Sequence, residues 1–487
     1  TLRLRKGLKW SDGHPFTTDD ILFWWEKIAR DSNLSIIPRI WTVGGKPMEM
    51  IRKDDLTIEL RFHKPFPLAE YYLAYKGNQW PLAFELSGFF APRHYLEKYL
   101  PTSDPSVRSE GAGYAVFERK ASDFNPERPV MSAWKVVEWA PGSHLKAVRN
   151  PYYWKVDPEG NQLPYVDRVE MEICLNPEMI NFRAISGRLA MQLRHIQTAN
   201  VELLREFSDK RNYRVLEYET TMRRCVMPNL AYPGDDFVRK IFQDKRFRIA
   251  LSLAIDRKMI ARLIGRGYSD PGGIGMFKSS PHYVPVDDLP NYCVYDPRRA
   301  NALLDEMGLT EKNKDGHRLR PDGEPLSLII EKAGEGTGSL EIVRSNWEDV
   351  GIKTSLKYEQ RTLYFQRVTK TGEHMIGFWG LECVFPLIVP DRWFAVNLWD
   401  EWAHHWARWY LSDGKKGVEP PENVKRVQKI KEALLQANRP ETKKELFYEL
   451  VKSFAENMWV IPVTERETNI GVCLDNFRNV PESGTSS

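Results

Sequence analysis

Hydrophobic and polar positions follow one another in two distinct periods near the start of the chain. Leucine and arginine alternate over residues 2–5, which predicts a half-buried strand. Asp12-Gly13 is a turn sequence, because glycine accepts a positive φ that most residues avoid. Thr17 or Thr18 then stands where it can cap a helix. The helix would carry one large apolar face, made of Ile21, Trp24, Trp25 and Ile28.

Farther along the chain, helical and extended patterns alternate. The stretch YDPRRANALLDEMG predicts a helix with Asp296 as its N-cap, Pro297 in its first turn and Gly308 as its stop. Two further helices are predicted over 422–438 and 441–457. Strands interleave with these helices, so the pattern indicates α/β organisation in more than one lobe. Residues 101–130 are rich in Pro, Ser, Gly and charge and are predicted to be loop.

Length and charge narrow the class of protein. A chain of 487 residues is long enough for two or three domains. The 70 Lys and Arg are nearly balanced by 66 Asp and Glu, and a net charge of +4 argues against a dedicated nucleic-acid surface. No run approaches the ~20 apolar residues of a membrane span, so none is predicted.

Motifs for catalysis and metal binding are scarce. The sequence has no G-x-S-x-G, no phosphate-binding P-loop and no H-E-x-x-H. His404 and His405 are adjacent, and neighbouring helical residues point about 100° apart, which favours packing over shared metal ligation. One catalytic alternative remains, the carboxylate pair of a glycosidase. Its candidates are Glu382, Asp391, Asp400 and Glu401.

Tryptophan is the most informative residue type, with 16 in the chain. Four of them are spaced 3, 4 and 3 residues apart and would share one face of a helix. That face could be a core stripe, or it could present indole rings to a ligand, since aromatic rings stack on the C–H faces of sugars and on peptide side chains. The four are Trp399, Trp402, Trp406 and Trp409, with Trp379 and Trp393 nearby in the sequence.

Four segments, in order, resemble a known family. They are LRLRKGLKWSDGHPFTTDDILFWWEKI at 2–28, SAWKVVEW with HLKAVRNPYYW at 132–154, FQDKRFRIALSLAIDRKMI at 242–260, and YDPRRANALLDEMG at 295–308. Together they resemble the signature stretches of the family 5 extracellular solute-binding proteins of ABC importers, the group that contains oligopeptide- and dipeptide-binding proteins.

The resemblance implies an α/β two-lobed periplasmic-binding-protein fold of class II, with a hinge between the lobes and an extra small domain. Residues 1–130 would be the remainder of the small domain, 131–268 the first lobe and 269–460 the second lobe. Residues 461–487 would return to the first lobe. The family's opening strands, export signal and lipid-anchor cysteine have no counterpart here, so we interpret the chain as N-terminally truncated.

The resemblance also implies function. We expect a non-catalytic, monomeric, periplasmic or extracellular receptor that delivers a solute to ABC permease subunits, with no cofactor, no metal and no nucleic acid. Lipid anchoring through a segment absent from this chain stays open. Two other classes remain as alternatives, a glycoside hydrolase and a sensory receptor that passes its ligand state to a membrane partner.

The ligand is predicted to be an oligosaccharide, with an oligopeptide as the alternative. Peptide-binding relatives hold the α-ammonium with an aspartate just after the segment that aligns with 374–380, and neither Glu382 nor Asp391 falls on that position. The expected ligand contacts are the tryptophans Trp379, Trp393, Trp399 and Trp402 and the polar residues Glu382, Asp391 and Asn229. Asn229 could equally stabilise a turn.

Overall fold

The computed structural model describes residues 1–487 except 32–33, 35–40, 77–88, 101–111, 335–337, 390–391, 466 and 487. The chain divides into two units, Thr1–Leu175 and Asn176–Ser487. The four ranges predicted from the sequence describe lobes of a family fold and not these units, and they stay predictions. No helix within the described ranges has both the length and the apolar character needed to cross a membrane.

In its described residues, the first unit contains short antiparallel sheets and helices. Its strands are β1 (Leu2–Arg3), β2 (Thr42–Val43), β3 (Lys46–Pro47), β4 (Glu49–Asp54), β5 (Thr57–Arg61), β6 (Trp134–Ala140), β7 (His144–Arg149) and β8 (Arg168–Glu172). Its helices are α1 (Thr18–Phe23), α2 (Ala69–Lys76), α3 (Arg93–Leu96) and α4 (Ala112–Ala121). A π-helical turn over Trp24–Ala29 continues α1, and a 3₁₀ turn over Glu97–Tyr99 continues α3. The sheets have the orders β1-β5-β4, β2-β3 and β6-β7-β8.

The predicted capping of the first helix is confirmed. Thr17 is the N-cap, with its hydroxyl accepting from the Asp19 backbone N–H at 3.3 Å. The Asp20 carboxylate accepts in return from the Thr17 N–H at 3.0 Å and from the buried Trp10 indole at 3.2 Å. This reciprocal arrangement satisfies donors that a helix start leaves open. The predicted loop over 101–130 is wrong in part, because α4 occupies ten of those residues.

The second unit alternates helices and strands, as the sequence predicts. Its strands are β9 (Met191–Ile196), β10 (Tyr213–Thr220), β11 (Met222–Pro228), β12 (Asp270–Pro271), β13 (Ser327–Ala333), β14 (Lys353–Glu359), β15 (Ile376–Glu382), β16 (Ile461–Glu465), β17 (Thr468–Leu474) and β18 (Ser483–Ser486). Its helices are α5 (Pro177–Ile185), α6 (Val201–Arg211), α7 (Asp236–Gln243), α8 (Lys245–Leu253), α9 (Arg257–Ile260), α10 (Pro297–Glu306), α11 (Gly338–Asp349), α12 (Arg361–Phe365), α13 (His404–Leu411), α14 (Glu422–Gln436) and α15 (Pro440–Asn457). A 3₁₀ turn (Thr198–Asn200) precedes α6, and π-helical turns follow α9 (Ala261–Gly265) and α12 (Gln366–Thr371).

Two sheets organise the second unit. A four-stranded sheet has the order β18-β10-β17-β9, and a six-stranded mixed sheet has the order β12-β16-β11-β15-β13-β14. The chain passes between them twice, from β10 to β11 through the single residue Thr221, and from β16 to β17. Strands β13 and β14 pair in parallel, as do β13 and β15, which requires the helical crossovers that α11 and α12 provide. Two short connections between two sheets are the arrangement expected of a hinge.

The helix predicted from YDPRRANALLDEMG is confirmed as α10. Asp296 caps it by accepting from the Arg299 backbone N–H at 2.9 Å, and Pro297 occupies its first turn. Gly308 follows the helix with a φ of +81°, a conformation that favours glycine.

Candidate functional site

Three aromatic rings from separate segments pack together beside the six-stranded sheet. We call this cluster the aromatic ledge and define it as Phe365, Trp379 and Trp399. The ring centre of Phe365 lies 5.0 Å from that of Trp379 and 4.6 Å from that of Trp399, edge-to-face in both cases. Trp399 is 37% exposed, and the other two rings are half-buried. A partly exposed cluster of rings in preferred geometry offers a rigid apolar surface to a ligand.

The backbone fixes the position of each ring. Trp379 lies on β15, between β11 and β13 near the centre of the sheet, and its register partner on β11 is Cys225. Phe365 ends α12, and the neighbouring Tyr364 is fully buried and stacks on Trp379 at 6.2 Å with an interplanar angle of 18°. Trp399 lies in the turn before α13. The rings of Phe365 and Trp379 are therefore fixed by the core, while Trp399 belongs to a loop that packs against Phe365.

Positive charge accompanies the ledge. The guanidinium of Arg361 stands 5.4 Å from the centre of Phe365 and 5.6 Å from that of Trp379, within cation–π range. Partial burial, and then the charge of Arg194, lower the pKa of Arg361. His195 has its pKa lowered by burial and by the charges of Arg194 and Arg361. Arg194 and His195 belong to β9 of the four-stranded sheet, so the charge of a residue from that sheet acts on Arg361.

The loop that carries Trp399 is anchored by buried charges. Arg392 donates to both oxygens of Glu401, at 2.7 and 2.9 Å, and both side chains are buried. Asp400 accepts from the backbone N–H groups of Val396 at 2.8 Å and Asn397 at 3.0 Å. The two carboxylates therefore shape the loop, and neither is directed at solvent.

Glu382 is also engaged within the protein. Its carboxylate accepts from the Thr221 hydroxyl at 2.7 Å and from the backbone N–H groups of Val384 at 2.8 Å and Phe385 at 2.9 Å. The side chain is buried. Glu382 thus ties the end of β15 to the connection between the two sheets. Asp391 lies outside the described residues.

The tryptophan spacing of 3, 4 and 3 does not produce one helical face. Helix α13 begins at His404, because residues 392–403 form successive turns around the buried Arg392 and Asp400, so the prediction that Trp399 and Trp402 lie on a helix is wrong. Trp402 is buried, stacks on Trp459 at 5.3 Å and donates its indole N–H to the Arg392 carbonyl at 2.8 Å.

Trp393 and Asn229 are likewise buried. Trp393 packs 4.6 Å from Phe454 and donates its indole N–H to the Glu382 carbonyl. The Asn229 amide donates to the Gly372 and His374 carbonyls, both at 2.9 Å, and thereby pins two loops together. Buried amides with full sets of partners hold backbone geometry.

The two adjacent histidines do not share a direction. The rings of His404 and His405 lie 5.1 Å apart and are nearly perpendicular, and His404 Nδ1 donates to the Leu398 carbonyl at 3.0 Å. Among the residues that the structure describes, no group of three or more His, Cys, Asp or Glu is arranged to hold a metal ion.

Of the seven ligand contacts predicted from the sequence, the structure brings Trp379 and Trp399 together at a partly exposed surface. It buries the other four described residues, Glu382, Trp393, Trp402 and Asn229. Sequence reasoning missed Phe365, Arg361, Arg194 and His195. No local pattern marks them, because their proximity depends on the pairing of β13 with β15 and on the placement of β9.

The family model described as bacterial extracellular solute-binding proteins, family 5 Middle, matches residues 1–384. The chain belongs to this family. This confirms the family predicted from the four sequence segments. The family is described by solute binding and not by catalysis.

Individual relatives bind two kinds of ligand. The periplasmic alpha-galactoside-binding protein of Rhizobium meliloti is 26% identical over 66% of this chain and 46% of its own length. A solved oligopeptide-binding protein OppA is 32% identical, with a TM-score of 0.65, covering 100% of this chain and 79% of that one. The periplasmic binding protein MelB of Agrobacterium fabrum, solved with stachyose, has a TM-score of 0.78 at 21% identity, covering 98% of this chain and 71% of that one.

These structural matches confirm the predicted α/β two-lobed periplasmic-binding-protein fold. The chain spans about half of the length of the curated relatives that it matches.

Proposed function

We propose that this chain is the solute-binding part of an ABC importer and that it captures an oligosaccharide on the aromatic ledge for delivery to a membrane permease. The observation that carries the proposal is the partly exposed indole of Trp399, braced by Phe365 at 4.6 Å. A pyranose ring has an apolar C–H face that stacks on such a surface, while its hydroxyls take up polar contacts at the rim.

The electrostatics of the site favour a sugar over a peptide. A peptide α-ammonium is best held by a carboxylate in a charge-assisted hydrogen bond. Glu382, the carboxylate at the end of β15, is buried and accepts from Thr221 and two backbone amides. The charges that accompany the ledge are the guanidiniums of Arg361 and Arg194, which would repel an ammonium. The alpha-galactoside-binding relative and the stachyose complex of MelB support the same choice.

An oligopeptide is the second candidate ligand. It is favoured by the 32% identity to a solved oligopeptide-binding protein OppA, which covers the whole chain. Aromatic rings bind peptide side chains as well as sugars, and a peptide could pair its terminal carboxylate with the arginines. A peptide carries charged termini and a neutral oligosaccharide carries none, so titration with each class of ligand separates the two candidates.

The route of capture follows from the two connections between the sheets. Arg361 and the ledge lie beside the six-stranded sheet, and Arg194 lies on β9 of the four-stranded sheet. A ligand that contacts both halves is bound more tightly when they are close, and it therefore shifts an open–closed equilibrium toward the closed form. The permease would distinguish the closed form from the open one.

The protein is proposed to be monomeric, to act in the periplasm or outside the cell, with or without a lipid anchor, and to bind no nucleic acid. It is proposed to be non-catalytic. A glycosidase needs two carboxylates facing the substrate, and Glu382, Asp400 and Glu401 are instead engaged by backbone amides, Thr221 or Arg392. Incubation with oligosaccharides should release no new reducing ends, and their appearance would favour the hydrolase.

The experiment that tests the function is a calorimetric titration of the full chain with stachyose, with other oligosaccharides and with short peptides. We expect heat of binding from oligosaccharides and a loss of at least about tenfold in affinity in Trp399→Ala. Trp154→Ala is the matched control, because Trp154 is 42% exposed but lies in the other unit. Binding of peptides alone would reject the oligosaccharide and retain the receptor, and binding of neither would reject the receptor.

A further inference from the structure

Positive charge near the ledge is not compensated by the protein. Among the described residues, neither Arg361 nor Arg194 makes an ion pair with a carboxylate, whereas several other arginines of this unit do, such as Arg205 with Glu217 at 2.7 Å and Arg367 with Glu359 at 2.8 Å. Two guanidiniums that repel each other without a shared anion cost folding free energy. Such an arrangement is typical of a site whose missing partner is a ligand.

The setting of Arg361 fits it for recognising an anion. Its guanidinium carbon lies 5.4 Å from the ring centre of Phe365 and 5.6 Å from that of Trp379, and the residue reaches solvent, where its N–H groups can meet a ligand. A stacked guanidinium presents parallel N–H donors that match the two oxygens of a carboxylate. Partial burial strengthens the interaction, because water competes less for both partners.

The positive charges near the ledge belong to residues of both sheets of the second unit or of the helices beside them. Arg361 begins α12 beside the six-stranded sheet, while Arg194 and His195 lie on β9 of the four-stranded sheet. Arg194 and His195 are exposed, and His195 adopts a φ of +63°, which takes its side chain out of the regular alternation of the strand. An anion bound by both Arg361 and Arg194 would offset the repulsion between their guanidiniums.

We propose that the preferred ligand is an acidic oligosaccharide, one whose sugar ring stacks on the aromatic ledge while a uronate carboxylate binds Arg361 and Arg194. The inference rests on the proposed function and names its substrate class. A neutral sugar of the same size stacks on the ledge but leaves both guanidiniums without a counter-charge, so it binds more weakly. The preference for acid therefore falls as the salt concentration rises.

The test compares two trisaccharides that differ only at C6, α-1,4-trigalacturonate and α-1,4-galactotriose, by calorimetry on the full chain. We expect trigalacturonate to bind about tenfold more tightly or better. In Arg361→Gln the affinity for trigalacturonate should fall to that for galactotriose, so that this preference disappears. Arg298→Gln, which removes an exposed arginine on α10, controls for net charge and should keep the preference.

The outcomes separate the inference from the function on which it rests. Equal affinity for the two trisaccharides, unchanged in Arg361→Gln, would overturn the acidic preference and leave an oligosaccharide receptor. Binding of neither trisaccharide, with tight binding of a peptide that is lost on amidation of its C-terminus, would assign the same arginines to a peptide carboxylate. That result would overturn both the acidic sugar and the oligosaccharide.

Discussion

Thr221 donates its hydroxyl to the carboxylate of Glu382 at 2.7 Å, and it is the one residue between β10 and β11, which belong to the two sheets of the second unit. Two backbone amides also donate to this carboxylate. The carboxylate at the end of β15 therefore fastens the connection between the sheets.

Removing the Glu382 side chain should lower the free energy of unfolding and should leave the preference for ligand charge unchanged. In Glu382→Ala three buried donors lose their acceptor, and we expect a loss of about 3 kcal/mol in the free energy of unfolding. Glu382→Gln keeps an acceptor and should lose about 1 kcal/mol. Urea unfolding followed by tryptophan fluorescence measures both, with the exposed Glu373→Ala as control. Unchanged stability together with lost binding would instead make Glu382 a ligand contact.

The buried pair of Arg392 and Glu401 should behave as a unit. Glu401→Gln leaves the guanidinium buried without its counter-charge and should cost about 3–5 kcal/mol. The double variant Arg392→Met with Glu401→Gln removes the unpaired charge and should recover part of that loss. A double-mutant cycle in urea checks this. Additive losses would mean that the two side chains do not interact, contrary to the geometry.

Two buried histidines should make the protein sensitive to mild acid. Burial lowers the pKa of His374 and of His404 to about 4. In each ring one nitrogen donates to a backbone carbonyl, while the other is buried with no partner among the described residues. An unfolded histidine has a pKa of about 6.5, so below that pH the unfolded state binds more protons than the folded state.

The free energy of unfolding should therefore fall as the pH drops from about 6.5 to about 4, by up to about 1.4 kcal/mol per pH unit for each of the two histidines. Thermal or urea unfolding across this pH range measures the slope. His374→Gln and His404→Gln should each flatten it, whereas the exposed His63→Gln should not. A slope unaffected by either buried variant would mean that other groups govern acid sensitivity.

Two tryptophans three residues apart should have opposite effects. Trp402 is buried against Trp459, so Trp402→Ala opens a cavity and should cost about 3–5 kcal/mol of stability. Trp399 is partly exposed, so Trp399→Ala should cost about 1 kcal/mol while weakening ligand binding. Unfolding and titration of the same two variants test the division. A folded, stable Trp402→Ala that loses binding would move the site into the present core.

Local sequence patterns predicted the elements well where a single segment decides the structure. The Thr17 cap and the helix from Pro297 to Glu306 follow from capping residues and apolar spacing alone. The spacing of the tryptophans from Trp399 onward predicted a helix at Trp399 and Trp402, and this prediction was wrong. Arg392 and Asp400 stabilise turns there that no periodicity reveals. The contacts of Trp399 with Phe365 and of Arg361 with Trp379 depend on tertiary packing of separate segments, which local sequence patterns do not reveal.

The most direct measurement is a crystal structure of the full chain grown separately with galactotriose and with trigalacturonate. The account predicts a pyranose ring lying against the indole of Trp399 or Trp379, with ring atoms within about 4 Å of the aromatic surface. A sugar bound away from both indoles, with the aromatic ledge left bare, would contradict the central claim.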